Sequence, residues 1–261
     1  MNGDWWFMEK VVVNNVSIAY TRGGLGKPLV LLHGYPLDHR IWERITPLLE
    51  KDFDLILPDL RGFGSSGTVK SAYSVLDMAG DVAELLARLG IHKSAMAGHS
   101  MGGYVCLAFA RAYPDQLLGL GLVASQAMAD TPERKQARYA AVEQVKEHGI
   151  EAVVKTMTNN LTSDPQLREF VYAIIAAQPV DGIIGALRVL AERPDQASLL
   201  RTLKLPLVVV HGDADALIPV ERAMDIKKAV PNSSLKILPG AGHMPMLERP
   251  DATAAALRLL K

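Results

Sequence analysis

At 261 residues, with 49% hydrophobic and 21% charged side chains, the chain has the make-up of a globular protein that can bury a sizeable core, as one large domain or two small ones. Its 28 Lys and Arg balance 28 Asp and Glu, so it carries no electrostatic footprint for nucleic acid or for an anionic membrane surface, and neither is expected as a partner. One cysteine, Cys106, excludes an internal disulfide and any multi-cysteine metal site.

Trp5-Trp6-Phe7-Met8 is too short for the apolar core of a signal peptide and has Asp4 where basic residues belong; it reads as a tail or first strand. Apolar runs such as Leu117 to Ala124 fall far short of a membrane span, and the expected location is the cytoplasm. Lys10 to Tyr20 carries β-branched residues around Asn14-Asn15, which predicts a hairpin. Pro28 to Leu32 and Phe53 to Leu57 are short continuous apolar runs, the signature of strands buried on both faces, with a helix predicted between them over Ile41 to Glu50. Apolar residues at helical spacing between Ser74 and Gly90 predict an amphipathic helix with a serine cap and a glycine stop. Strands follow at Ser94 to Ala97 and Leu117 to Val123, with a helix between them from Met101 to Tyr113. Strands alternating with helices imply βαβ units and a mostly parallel sheet covered on both faces.

The alternation stops at about Ser125. Helical patterns alone fill Pro132 to His148, Glu151 to Asn160, Pro165 to Gln178, Val180 to Glu192 and a short piece near Leu199. Strands return at Leu205 to Val210 and Ser234 to Leu238, with a helix after Pro219 and a last helix over Thr253 to Lys261. The expected organisation is a core over residues 1–124 and 204–261, with an all-helical cap over 125–203 lying across the C-terminal edge of the sheet.

The chemistry gathers at Gly98-His99-Ser100-Met101-Gly102, a strand-turn-helix junction with the G-x-S-x-G pattern of a nucleophile elbow. The pattern alone is weak; an apolar strand before it and a helix after it give it force. A turn this tight strains the serine backbone and needs flanking residues without side chains, which Gly98 and Gly102 supply, while Gly103 lets the helix approach the sheet. A serine hydroxyl also needs a base, oriented by a third group. His243, in the loop just past the last strand, is the candidate base among seven histidines. The acid should end the preceding strand, where Asp215, deeper in the turn, is favoured over Asp213, which is placed to bond turn amides. An oxyanion needs two preorganised N–H donors. Met101 supplies one and Tyr35 is assigned the other, since Pro36 has no N–H. His33, His99 and His211 are expected to brace loops, and Arg61 to pair with Asp59. No local cluster suggests a metal, no phosphate-binding glycine loop suggests a nucleotide, and no cofactor is expected.

Together His33-Gly34-Tyr35-Pro36, Asp59-Leu60-Arg61-Gly62-Phe63-Gly64-Ser65-Ser66, Gly98 to Gly103, Gly212-Asp213-Ala214-Asp215 and Gly242-His243 make the chain resemble the α/β-hydrolase family over essentially its full length. Within that family it is most similar to small serine carboxylesterases with a four-helix cap, and also to enol-lactonases and cofactor-free haloperoxidases. The resemblance implies an α/β-hydrolase fold and hydrolysis of small to medium apolar esters through an acyl-enzyme on Ser100, with Asp215 and His243 completing the triad. Met128, Met157, Val171, Ile174, Ile175, Ile183, Ile184 and Leu187 are the cap residues available for an apolar wall, although most are expected simply to pack the cap. Pro36 resembles the proline after the aromatic position in haloperoxidase and perhydrolase relatives, and that resemblance implies a peroxide-using side reaction. Lactone hydrolysis, and a slow-turnover receptor or signalling role on the same triad, are the alternatives.

Overall fold

In the computed structural model, residues 7–261 are described, so the Trp5-Trp6 part of the expected tail or first strand lies outside them. β1 (Met8–Val13) and β2 (Val16–Gly24) form the opening hairpin. Asn14 and Asn15 turn it with φ of 46° and 63°, left-handed values that asparagine tolerates and that match the twist of a two-residue turn.

The chain then runs through β3 (Lys27–Leu32), α1 (Thr46–Leu49), β4 (Phe53–Pro58), α2 (Val75–Arg88), β5 (Ser94–His99), α3 (Met101–Ala112) and β6 (Leu117–Val123). Only helices follow: α4 (Pro132–His148), α5 (Glu151–Leu161), α6 (Pro165–Ala176), α7 (Val180–Glu192) and α8 (Ala197–Leu200). The sheet resumes with β7 (Leu207–Gly212), and α9 (Glu221–Ala229), β8 (Ser234–Leu238), α10 (Pro245–Glu248) and α11 (Pro250–Leu257) complete the fold. Among the described residues no single helix is long and apolar enough to cross a membrane.

Two expected helices come out divided. The one expected over Ile41 to Glu50 is a 3₁₀ turn, His39–Trp42, and then the four-residue α1, whose second residue, Pro47, has a ring that suits a first turn and no later one. Near the C-terminus Pro245 and Pro250 each open a helix, so α10 and α11 precede a closing 3₁₀ turn, where a single helix from Thr253 was expected. Elsewhere the caps act as the residues suggest. Ser74 accepts from the Asp77 amide while the Asp77 carboxylate accepts from the Ser74 amide, a reciprocal box that starts α2.

The eight strands lie in the order β1-β2-β4-β3-β5-β6-β7-β8. β2 is antiparallel to both its neighbours, and every other pairing is parallel. Side chains alternate between two apolar clusters, one on each face. Val30, Ile56, Met96, Leu120, Leu122 and Val209 enter one; Leu29, Leu31, Leu55, Ala97, Val208 and Val210 enter the other. Fully burying each Val, Leu or Ile is worth about 1.5–3 kcal/mol, which fixes the register of every strand. The parallel strands all end at one edge. Because β3 pairs with β4 on one side and β5 on the other, the winding reverses beside β5 and opens a crevice there.

Candidate active site

Ser100 stands at that crevice, between β5 and α3, with φ 49° and ψ −112°. This left-handed backbone is one a serine adopts only when its surroundings impose it. They do so with hydrogen bonds on both sides: the Ser100 amide donates to the Val123 carbonyl at 2.9 Å, and its carbonyl accepts from the Gly103 amide at 2.9 Å and from the Ser125 hydroxyl at 2.8 Å. A Cβ at Gly98 would overlap the Gly102 backbone, and one at Gly102 would strike the Leu32 and His33 carbonyls, so both glycines are required by close approach. The space beside Gly103 is taken by Ser125 rather than by a closer helix, a bracing residue with no local sequence signal to mark it.

The loops after β7 and β8 bring Asp215 and His243 together. His243 Nδ1 lies 2.7 Å from Asp215 Oδ2, with both side chains almost wholly buried. The other carboxylate oxygen accepts from the Leu217 amide at 2.8 Å and the Ile218 amide at 3.0 Å. His211 Nε2 donates to the Ile218 carbonyl at 2.9 Å and lies 3.4 Å from Asp215 Oδ2. Burial works against charge on Asp215, but the adjacent His243 ring and these donors overcome it and hold the carboxyl far below the usual range. An ionised Asp215 carboxylate can only accept, so Nδ1 of His243 is the donor in this contact. Asp213 instead accepts from the Gly240 amide at 2.7 Å and is exposed, a turn role.

The remaining buried histidines brace the loops around the site. His33 Nδ1 donates to the Gly34 carbonyl at 3.0 Å while its Nε2 accepts from the Leu60 amide at 2.9 Å. His99 Nε2 donates to the His243 carbonyl at 2.8 Å. Burial and the neighbouring His243 push the His99 pKa well down, so it is a neutral strut.

Ser100 and His243 line one cavity of about 280 Å³ together with Tyr35, Met101, Tyr104, Met157, Leu187 and Ile218. Among the described residues the Tyr35 and Met101 amides find no protein acceptor, and both residues line the cavity that holds Ser100. Of the residues named for an apolar wall, Met157 and Leu187 line the cavity; Val171, Ile174, Ile175 and Ile183 are fully buried packing residues, and Met128 is exposed. Arg134 and Arg138, two polar-helix residues with no local signal of a site role, also line it.

Arg61 does not pair with Asp59. It makes a two-pronged ion pair with Asp81 on α2, at 2.5 and 2.6 Å. Asp59 instead accepts from the His39 ring at 2.6 Å, the His39 amide at 3.0 Å and the Ser65 amide at 2.8 Å. Asp38, His39 and Asp59 have donor atoms within 4.8 Å of one another, a grouping that could suit a metal. Those atoms are already engaged, however, because Asp38 accepts from Arg40 at 2.9 and 2.7 Å and from Gln178 at 2.9 Å. The cluster is therefore a hydrogen-bonded anchor for the loops at the sheet edge.

The family model described as alpha/beta hydrolase fold matches residues 27–250. The chain is 31% identical to Lipase 1 of Psychrobacter immobilis over 91% of its length and 78% of that protein. It is also 31% identical to the pimeloyl-[acyl-carrier protein] methyl ester esterase of Edwardsiella ictaluri, over 91% of this chain and 94% of that one. Among solved structures, a thermophilic esterase from Thermogutta terrifontis, with malate bound, superposes with a TM-score of 0.91 at 35% identity, covering 97% of each chain.

Proposed function

This chain belongs to the α/β-hydrolase family, and on that premise we propose that it is a serine carboxylesterase acting on small to medium esters through an acyl-enzyme. The observation that carries the reading is the 2.7 Å contact between His243 Nδ1 and Asp215, with His243 and the strained Ser100 on one cavity. In the proposed sequence His243 Nε2 takes the Ser100 proton as Oγ attacks the ester carbonyl. The developing oxyanion is met by the Met101 and Tyr35 amides, the former at the N-terminus of α3, where the helix dipole adds to the field. The tetrahedral intermediate collapses as the protonated imidazole gives its proton to the leaving alcohol. His243 then activates water to release the acid and regenerate Ser100. Asp215 holds the ring and stabilises its cationic form. The helical block α4 to α8 acts in this reading as a cap that completes the pocket.

Esterase and lipase relatives support ester hydrolysis as the reaction class. A panel of p-nitrophenyl acetate, butyrate and octanoate with a lactone tests it, run on wild type, Ser100→Ala and Asp215→Asn. Fast turnover of open-chain esters, lost in both variants, is the expected result. Absence of turnover by the folded wild type would overturn it, and faster lactone turnover would move the substrate class to cyclic esters.

A further inference from the structure

α4 presents Arg134 and Arg138, one helical turn apart, to the cavity that holds Ser100. The other α4 residues on this wall, Ala137 and Ala141, are small, and the rest of the lining is mostly apolar. A pocket meant only for apolar chains has no use for two guanidinium groups, each of which is costly to desolvate.

The local charges do not cancel. Asp130 is the acid that reaches Arg138, and its side chain, 1% exposed, serves both Arg138 at 3.2 Å and Arg193 at 2.8 Å. Arg193 is further held by the Leu190 and Met128 carbonyls and lies over the Tyr104 ring at 4.3 Å. Arg134 has a carbonyl as its partner, that of Leu217 at 3.0 Å, which ties α4 to the Asp215 loop. Of the other acids on this side, Glu133 is exposed and Glu192 is engaged by Lys135 and Tyr139. Asp215 is matched by His243 and His211. Arg193 lies outside the cavity lining and its charge offsets Asp130, so the two wall arginines, Arg134 and Arg138, keep a net positive charge and N–H donors that make no hydrogen bond to a described residue. Tyr35 lines the same cavity, and its buried hydroxyl has no partner among the described residues.

We propose that Arg134 and Arg138 form a carboxylate-binding subsite in the Ser100 cavity, and that the preferred substrates are esters bearing a second, ionised carboxylate. A guanidinium fork matches a carboxylate in shape, and the low-dielectric wall strengthens the pairing. This rests on the serine esterase reading, and the test separates the two.

Wild type, Arg134→Met, Arg138→Met and Arg138→Lys are assayed on two matched pairs. Monomethyl adipate against methyl hexanoate places the charge on the acyl side; 6-acetoxyhexanoate against hexyl acetate places it on the alcohol side. In wild type the charged member of one pair is expected to have the higher kcat/KM, and that pair identifies the side. Each methionine variant should lower the charged-to-neutral ratio about ten- to a hundredfold, mainly through KM, as loss of a charge-assisted hydrogen bond implies, with partial recovery in Arg138→Lys. A wild-type ratio below one in both pairs, or a ratio that moves less than about twofold in both methionine variants, overturns the subsite. Should wild type cleave no ester, the esterase reading fails on its own, and calorimetric binding of adipate decides the subsite: binding lost in Arg138→Met supports it, and no binding to wild type overturns it.

Discussion

β5 leads into Ser100 at the cavity that α4 borders, and the two elements are built in opposite ways. Every residue of β5 is buried, it is paired on both sides by β3 and β6, and it delivers Ser100 in a conformation with one backbone solution. α4 is seventeen residues long with only Val142 and Val145 buried, and it is held by polar contacts through Arg134 and Arg138. A reacting atom needs placement within tenths of an ångström, which dense packing supplies; a substrate-selecting wall needs charge and room, which a half-exposed helix supplies. The two regions therefore should fail differently when changed.

The sharpest contrast lies in the chemistry. Ser100→Ala is expected to lower ester turnover about ten-thousandfold or more, and Asp215→Asn about a thousand- to ten-thousandfold by leaving the wrong His243 tautomer, both read as kcat with folding checked by circular dichroism. No single substitution on α4 should come near either. Next in size is the core itself. Arg61→Met strands the buried Asp81 carboxylate, which keeps only the Asn14 amide at 3.1 Å, and should cost about 3–5 kcal/mol in urea unfolding. Packing gives a milder version of the same comparison. Val209→Ala in β7 should cost about 2–3 kcal/mol, whereas Val145→Ala, on a helix that can relax toward solvent, should cost about 1–1.5 kcal/mol. Equal costs would erase the distinction between rigid edge and compliant cover.

The smallest effect is a pH dependence at the loop anchor. Burial lowers the His39 pKa, but the hydrogen bond to Asp59 and its charge outweigh that and leave it above the ordinary 6.5. Its folded pKa is raised, so its contribution is fully present below about 6.5 and is lost as pH rises through the higher folded value. His39→Gln should flatten the stability profile above that pH, measured by thermal unfolding across the range.

The same contrast explains what could be read from sequence. The elbow glycines, the end-of-strand Asp215 and the loop residue His243 are local features, each set by a short segment whose turn chemistry is visible in its neighbours. The strands were equally legible, because burial on both faces writes a continuous apolar run. Sequence proximity points Arg61 to Asp59, whereas folding carries Asp81 across from α2 to pair with it. Ser125, which supports the Ser100 carbonyl from the loop after β6, left no pattern of its own. Arg134 and Arg138 look like ordinary surface charges on a polar helix, and only the docking of α4 over the sheet edge turns them toward the cavity. Residues positioned by their own segment can be found in the sequence; residues positioned by another segment need the fold.

Covalent capture of Ser100 tests directly whether it is the nucleophile. Reaction with diethyl p-nitrophenyl phosphate should release one p-nitrophenolate per chain, abolish ester turnover, and leave a diethylphosphoryl group that peptide mass spectrometry places on Ser100, with no release from Ser100→Ala. Turnover that survives treatment, or an adduct and release that persist in Ser100→Ala, would contradict it.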